Sequence, residues 1–139
     1  MHAESFIDTN VLLYAVSTVE DEAEKRAIAR KLLATPEWGI SVQVLQEFYV
    51  NVVRPPRPAM THADAVDAIR EMLRRPTVAT DAGLVLEGLR LMARYQLSYW
   101  DAAIVAAARA LGAAVLYTED LNDGQVYDGV RVTNPFGVA

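Results

Sequence analysis

At 139 residues the chain has the length of one ordinary domain, and its 53% apolar and 22% charged content suits a globular fold with a substantial core. The absence of cysteine excludes disulfides, thiolate zinc sites and cysteine nucleophiles. A net charge of −5 excludes a simple basic coat for nucleic acid, although nine of the 13 Lys and Arg residues fall between positions 25 and 75.

In chain order, Ser5-Phe6-Ile7 reads as a short buried strand ending at Asp8. His2, Glu4 and Asp8 precede the apolar stretch 11–16, so the basic n-region of a signal peptide is missing. That stretch starts a helix that Asp8, Thr9 or Asn10 can cap. Residues 21–34 form a second helix, with Ala23, Ala27, Ile28, Leu32 and Ala34 loosely on one side, stopped by Pro36. Residues 39–42 are a short strand. Residues 43–53 are a helix whose Leu45, Phe48 and Val52 form an apolar stripe.

The run Arg54-Pro55-Pro56-Arg57-Pro58 breaks that helix, because proline lacks the donor and clashes with the preceding turn. Thr61 and Asp64 stand at capping-box spacing for a helix over 61–75. A strand over 76–80 and a helix over 81–95 follow. Residues 98–111 form another helix, closed by Gly112. Residues 114–117 are a buried strand, and 130–132 a final one. The most apolar region, 102–117, contains Arg109 and Gly112 and is shorter than the roughly 20 apolar residues of a membrane span. The expectation is a soluble, cytoplasmic protein with no membrane partner, built as a single domain over 1–139.

Strands alternating with helices predict an α/β fold with a short, mostly parallel sheet between two helical layers. Such sheets bind ligands outside the carboxyl ends of their strands, at a topological switch point. Asp8 follows the first strand, and Asp120 follows the strand over 114–117. Asp101 sits in Ser98-Tyr99-Trp100-Asp101, a capping-box pattern, yet shares a helix side with Ile104, Val105 and Ala108. A charge aimed at a packed face is costly unless paired or metal-bound. Glu47, on the helix over 43–53, reads alone as a surface glutamate.

An EF-hand over 120–131 fails, because Gln125 stands at the glycine position and Arg131 at the bidentate glutamate position. Phosphate loops, dinucleotide fingerprints and zinc-protease motifs are absent, and two histidines make a histidine-based triad a poor reading. Hard carboxylate ligands instead select Mg²⁺ or Mn²⁺.

Phe6-Ile7-Asp8-Thr9-Asn10-Val11-Leu12-Leu13-Tyr14 resembles the opening motif of PIN-domain nucleases. Gln46-Glu47-Phe48, Tyr99-Trp100-Asp101-Ala102-Ala103-Ile104 and Leu116-Tyr117-Thr118-Glu119-Asp120-Leu121 are similar to that family's later motifs, in the same order. The resemblance covers nearly the whole chain, whose size and acidic balance are similar to VapC toxins of toxin–antitoxin pairs.

It implies a three-layer α/β/α sandwich and a metal cluster of Asp8, Glu47, Asp101 and Asp120. Thr9 and Thr118 would support the first and last carboxylates, and Asp123 would contribute through water or serve only its turn. The resemblance further implies RNA cleavage by metal-activated water to a 5′-phosphate and a 3′-hydroxyl, a cognate antitoxin and a homodimer. A competing reading is a PIN-like module that grips RNA or protein without cutting. A receiver or aspartyl-phosphatase reading fails, since Asn10 stands where the second aspartate belongs and both lysines, Lys25 and Lys31, come early.

Overall fold

The computed structural model describes residues 1–137. Its order is β1 (Ser5–Ile7), α1 (Thr9–Ala15), a 3-10 turn (Glu20–Glu22), α2 (Ala23–Leu33), β2 (Trp38–Ser41), α3 (Val42–Val52), α4 (His62–Met72), β3 (Thr77–Val78), α5 (Ala82–Tyr95), α6 (Tyr99–Ala110), β4 (Val115–Tyr117), β5 (Val126–Tyr127) and β6 (Val130–Thr133). The strands form one sheet in the order β3-β2-β1-β4-β6-β5, parallel except for the β5–β6 pair. No described helix is long and apolar enough to cross a membrane.

Helices start where short polar side chains satisfy free backbone donors. Asp8 caps α1, Ser41 caps α3, Thr61 caps α4, Asp81 caps α5 and Ser98 caps α6. The sequence names the caps of α1, α4 and α6 and starts a helix at Asp81 without marking it as a cap, whereas Ser41 is expected inside the strand over 39–42. In the structure β2 ends one residue earlier, and the Ser41 hydroxyl accepts from Val44 N. The helix expected over 61–75 stops at Met72, and Pro76 leaves only Thr77 and Val78 to pair beside β2.

The expected face of α2 is corrected. Ala29 is the fully buried position there, while Ala23 and Ala27 are exposed. The helix expected over 21–34 begins instead after a separate 3-10 turn over Glu20–Glu22. The hairpin strand β5 was not expected, because Val126 and Tyr127 alternate too briefly to signal a strand; Tyr127 is nevertheless buried.

Helix α1 packs on α2 and α3, and α3 on α4, while α5 and α6 pack closely as a pair with α6 lying on β2, β4 and β6. This is the expected α/β/α arrangement. Seven consecutive residues of α6, Ala102–Ala108, are buried. Such an all-round apolar helix has to lie inside the fold. Gly39 permits close approach at β2, where a Cβ would stand 2.7 Å from Leu111 Cδ1 and 2.8 Å from the Pro76 carbonyl oxygen.

From β1 the chain moves outward on one side to β2 and β3, then returns to place β4 on the other side of β1. The strand order therefore reverses between β1 and β4. Ile7 pairs with Tyr117 in that ladder, and Asp8 N–H donates to the Tyr117 carbonyl at 3.1 Å. Asp8 and Thr118 thus emerge side by side at the switch point, where the β-strand carboxyl ends open a crevice.

Candidate active site

Asp8, Glu47, Asp101 and Asp120 all line one cleft of about 190 Å³, together with Thr9, Asn10, Gln43, Asn51 and Trp100. Four distant segments meet there. Asp8 leaves β1, Asp120 follows β4, Glu47 stands in the second turn of α3, and Asp101 occupies the first turn of α6. The four residues singled out from the sequence therefore lie together.

Asp8 is buried, at 6% exposure. Its Oδ1 accepts from Thr9 N at 2.7 Å, and its Oδ2 accepts from the Thr118 hydroxyl at 2.8 Å. Burial pushes its carboxyl up to about 7; the Thr118 and Thr9 hydrogen bonds oppose this, and the charges of Asp120 and Glu47 add to it. A buried carboxyl held this high resists ionising unless a positive charge stands beside it.

The two threonines act differently from the expectation. The Thr9 hydroxyl donates to Glu47 Oε1 at 2.7 Å, so it fixes the α3 glutamate, while only its backbone serves Asp8. The buried Thr118 hydroxyl serves Asp8 and accepts Asp120 N–H at 3.0 Å, so it orients Asp120 through the main chain. Each hydroxyl crosses to the neighbouring element because the parallel pairing brings those elements together. Asp123 does not line the cleft; its Oδ1 accepts Asn134 N–H at 2.9 Å and shapes the turn before β5.

Asn10 is a residue the motifs did not single out. Its Nδ2 lies 3.0 Å from Thr118 Oγ1, 3.1 Å from Asp120 Oδ2 and 3.4 Å from Asp8 Oδ2, and its Oδ1 accepts from Glu119 N at 3.4 Å. The available signal was its place two residues after Asp8, in the first turn of α1. Glu119 is held in turn by the Tyr14 hydroxyl at 2.6 Å and Lys25 Nζ at 3.1 Å. The bond to Glu119, ahead of partial burial, raises the Tyr14 phenol above its ordinary range.

Asp101 keeps its carboxylate out of the cap. Ser98 Oγ accepts Asp101 N–H at 3.2 Å, but among the described hydrogen bonds no return bond runs from the Ser98 amide to the Asp101 side chain. The half-buried carboxylate lines the cleft beside Ile104.

The donor set is all oxygen, which matches hard divalent cations. Among the described residues no group of three or more His, Asp or Glu side chains could hold an ion as it stands. Thr9 bridges toward Glu47, and Asn10 spans Asp8 and Asp120.

A family model described as PIN domain matches residues 5–127. No curated protein matches the sequence. Among solved structures, the chain is similar to a toxin–antitoxin complex from Klebsiella pneumoniae, with TM-score 0.72 and 20% identity over 96% of this chain and 99% of that one. It is also similar to Mycobacterium tuberculosis VapC20, a sarcin-ricin loop cleaving toxin, with TM-score 0.67 and 23% identity over 84% and 89% of the two chains. A DNA-bound VapBC from Salmonella typhimurium gives TM-score 0.65 and 17% identity over 96% and 98%. Identities this low establish a shared fold.

Proposed function

Because the chain belongs to the PIN domain family, we propose that it is a metal-dependent endoribonuclease, the toxin of a toxin–antitoxin pair, acting as one nuclease domain over 1–139. The observation that carries this reading is the convergence of Asp8, Glu47, Asp101 and Asp120 on one cleft at the switch point of the sheet. A purely structural domain gains nothing from four mutually repelling carboxylates in one place. That argues against a PIN-like module that only binds RNA or protein.

In this reading the four carboxylates hold Mg²⁺ or Mn²⁺. Such an ion supplies positive charge against the phosphodiester and makes water easier to deprotonate. Asp120 is exposed and Glu47 and Asp101 are half-buried, so all three can rotate toward the buried Asp8. Thr118 and the Thr9 amide fix Asp8, the Thr9 hydroxyl holds Glu47, and Asn10 holds Asp120. These bonds hold the carboxylates around the cleft, from which an ion would draw them together. Hydrolysis adds a water oxygen to phosphorus and breaks the bond to the 3′ oxygen, leaving a 5′-phosphate and a 3′-hydroxyl. The basic residues between positions 25 and 75 would hold RNA phosphates.

Structural neighbours named as toxin–antitoxin complexes support a cognate antitoxin protein as a partner, and action in the cytoplasm is part of the same proposal. Leu86 and Leu89, exposed on α5, offer apolar area for a homodimer.

The test is incubation of purified protein with a mixed RNA pool in Mn²⁺, in Mg²⁺ and in chelator, beside Asp101→Asn. Discrete 5′-phosphorylated products that require metal and vanish in the variant are expected. Equal cleavage by Asp101→Asn, or cleavage that survives the chelator, would overturn the reading.

A further inference from the structure

Trp100 is 65% exposed, whereas the other tryptophan, Trp38, is buried at 5%. Tryptophan is highly buried on average, so this exposure is uncommon for its type. The exposed ring is also braced. Tyr99 packs against it edge-on, with centroids 5.2 Å apart at 74°, and Gln43 Nε2 donates to the Trp100 carbonyl at 3.4 Å. Tyr99 is itself wedged on α5, where a Cβ at Gly88 would stand 3.2 Å from its Cε1.

Trp100 and Gln43 line the carboxylate cleft, and both also line a neighbouring cavity of about 460 Å³ whose walls include Gln46, Thr80, Leu84 and Tyr99. An aromatic surface therefore stands between the four carboxylates and a cavity carrying two side-chain amides. Bases of single-stranded RNA are held in this way, by stacking on an aromatic face with hydrogen bonds to their edges.

We propose that Trp100 is a stacking platform for one nucleobase of single-stranded RNA beside the scissile phosphodiester, with the Gln43 and Gln46 amides reading the base edge. This rests on the nuclease reading above. A second copy of the chain is a poorer occupant, because it would cover a carboxylate-lined cleft, and interface centres are depleted of charge. The exposed Leu86 and Leu89 line neither cavity.

The experiment titrates the protein, with Ca²⁺ as the cation, with a fluorescein-labelled single-stranded decaribonucleotide, an abasic strand of the same length, and the decaribonucleotide in a duplex. Tryptophan emission and label anisotropy are read for wild type, Trp100→Ala and Trp100→Phe, with oligomeric state followed by sedimentation. Base-dependent quenching is expected in wild type with the single strand alone. Trp100→Ala should bind about tenfold more weakly, within the range of one lost base stack. Trp100→Phe should recover most of that affinity.

Equal quenching by the abasic strand, unchanged affinity in Trp100→Ala, or dissociation of a dimer by that variant would each overturn the proposal. Cleavage assays on the same protein preparations and strands, with Mn²⁺ in place of Ca²⁺, separate the two readings. Metal-dependent cleavage without base-dependent quenching defeats this proposal alone, whereas base-dependent quenching without any cleavage defeats the nuclease reading and leaves a base-binding surface.

Discussion

Replacing Asp8 with asparagine should stabilise the metal-free protein above neutral pH. The Asp8 carboxyl is 6% exposed, and burial raises it from 3.8 to about 7 in the folded chain. The native state therefore holds that proton more tightly than the unfolded state. The associated stability is fully present below about pH 4 and is lost as pH rises toward about 7. A shift of about three units corresponds to at most about 4 kcal/mol.

Asparagine removes this penalty but has one acceptor oxygen where the carboxylate has two, so it cannot accept from both Thr9 N, now 2.7 Å from Oδ1, and the Thr118 hydroxyl, now 2.8 Å from Oδ2. Losing that bond costs about 1–3 kcal/mol, leaving a net gain of about 1–3 kcal/mol at pH 8. Urea unfolding in chelator at pH 4, 6 and 8 would show it: the variant starts below wild type at pH 4 by the cost of the lost bond and overtakes it as pH rises. Added Mn²⁺ should reverse the order by stabilising wild type alone. A variant less stable than wild type at pH 8 in chelator would show that burial does not penalise the Asp8 carboxylate.

Thr9→Val removes the hydroxyl that holds Glu47 and should lower Mn²⁺ affinity by about 10- to 100-fold, as loss of a ligand's supporting partner does; calorimetric titration reads it. Asp128 accepts from Tyr95 OH and Arg90, and these bonds hold its carboxyl down at about 2. Its contribution to stability is therefore present above about pH 4 and lost as pH falls toward 2. Asp128→Asn should be less stable than wild type at pH 6, with the gap closing in an acid titration followed by far-ultraviolet circular dichroism. Gly39→Ala forces a Cβ against Leu111 and the Pro76 carbonyl and should cost about 1–3 kcal/mol in urea unfolding.

Much of the fold is legible in short-range signals. Ser98, Asp81 and Thr61 announce helix starts because a capping side chain acts within three residues of its own position. Gly112, with φ of +72°, marks the end of α6 for the same local reason. The strand β5 is not legible, because it exists through its ladder with β6 rather than through its own two residues. The buried face of α2 is likewise set by its packing on α1, which its loose apolar spacing does not reveal.

At the cleft, the acidic residues can be read from their places after strands and at a helix start. The crossed roles of Thr9 and Thr118 cannot, since each hydroxyl reaches a partner 38 or 110 positions away. Asn10 is hidden similarly. As a short polar residue after Asp8 it reads as a cap candidate, and only the β1–β4 pairing brings its amide to Thr118 and Asp120.

Calorimetric titration of Mn²⁺ into wild type and into Asp8→Asn, Glu47→Gln, Asp101→Asn and Asp120→Asn tests most directly whether these carboxylates form one metal centre. Saturable binding to wild type is expected, weakened or lost in every variant while each keeps its helical circular dichroism. Absence of binding to wild type at millimolar Mn²⁺, or unchanged binding in all four variants, would contradict it.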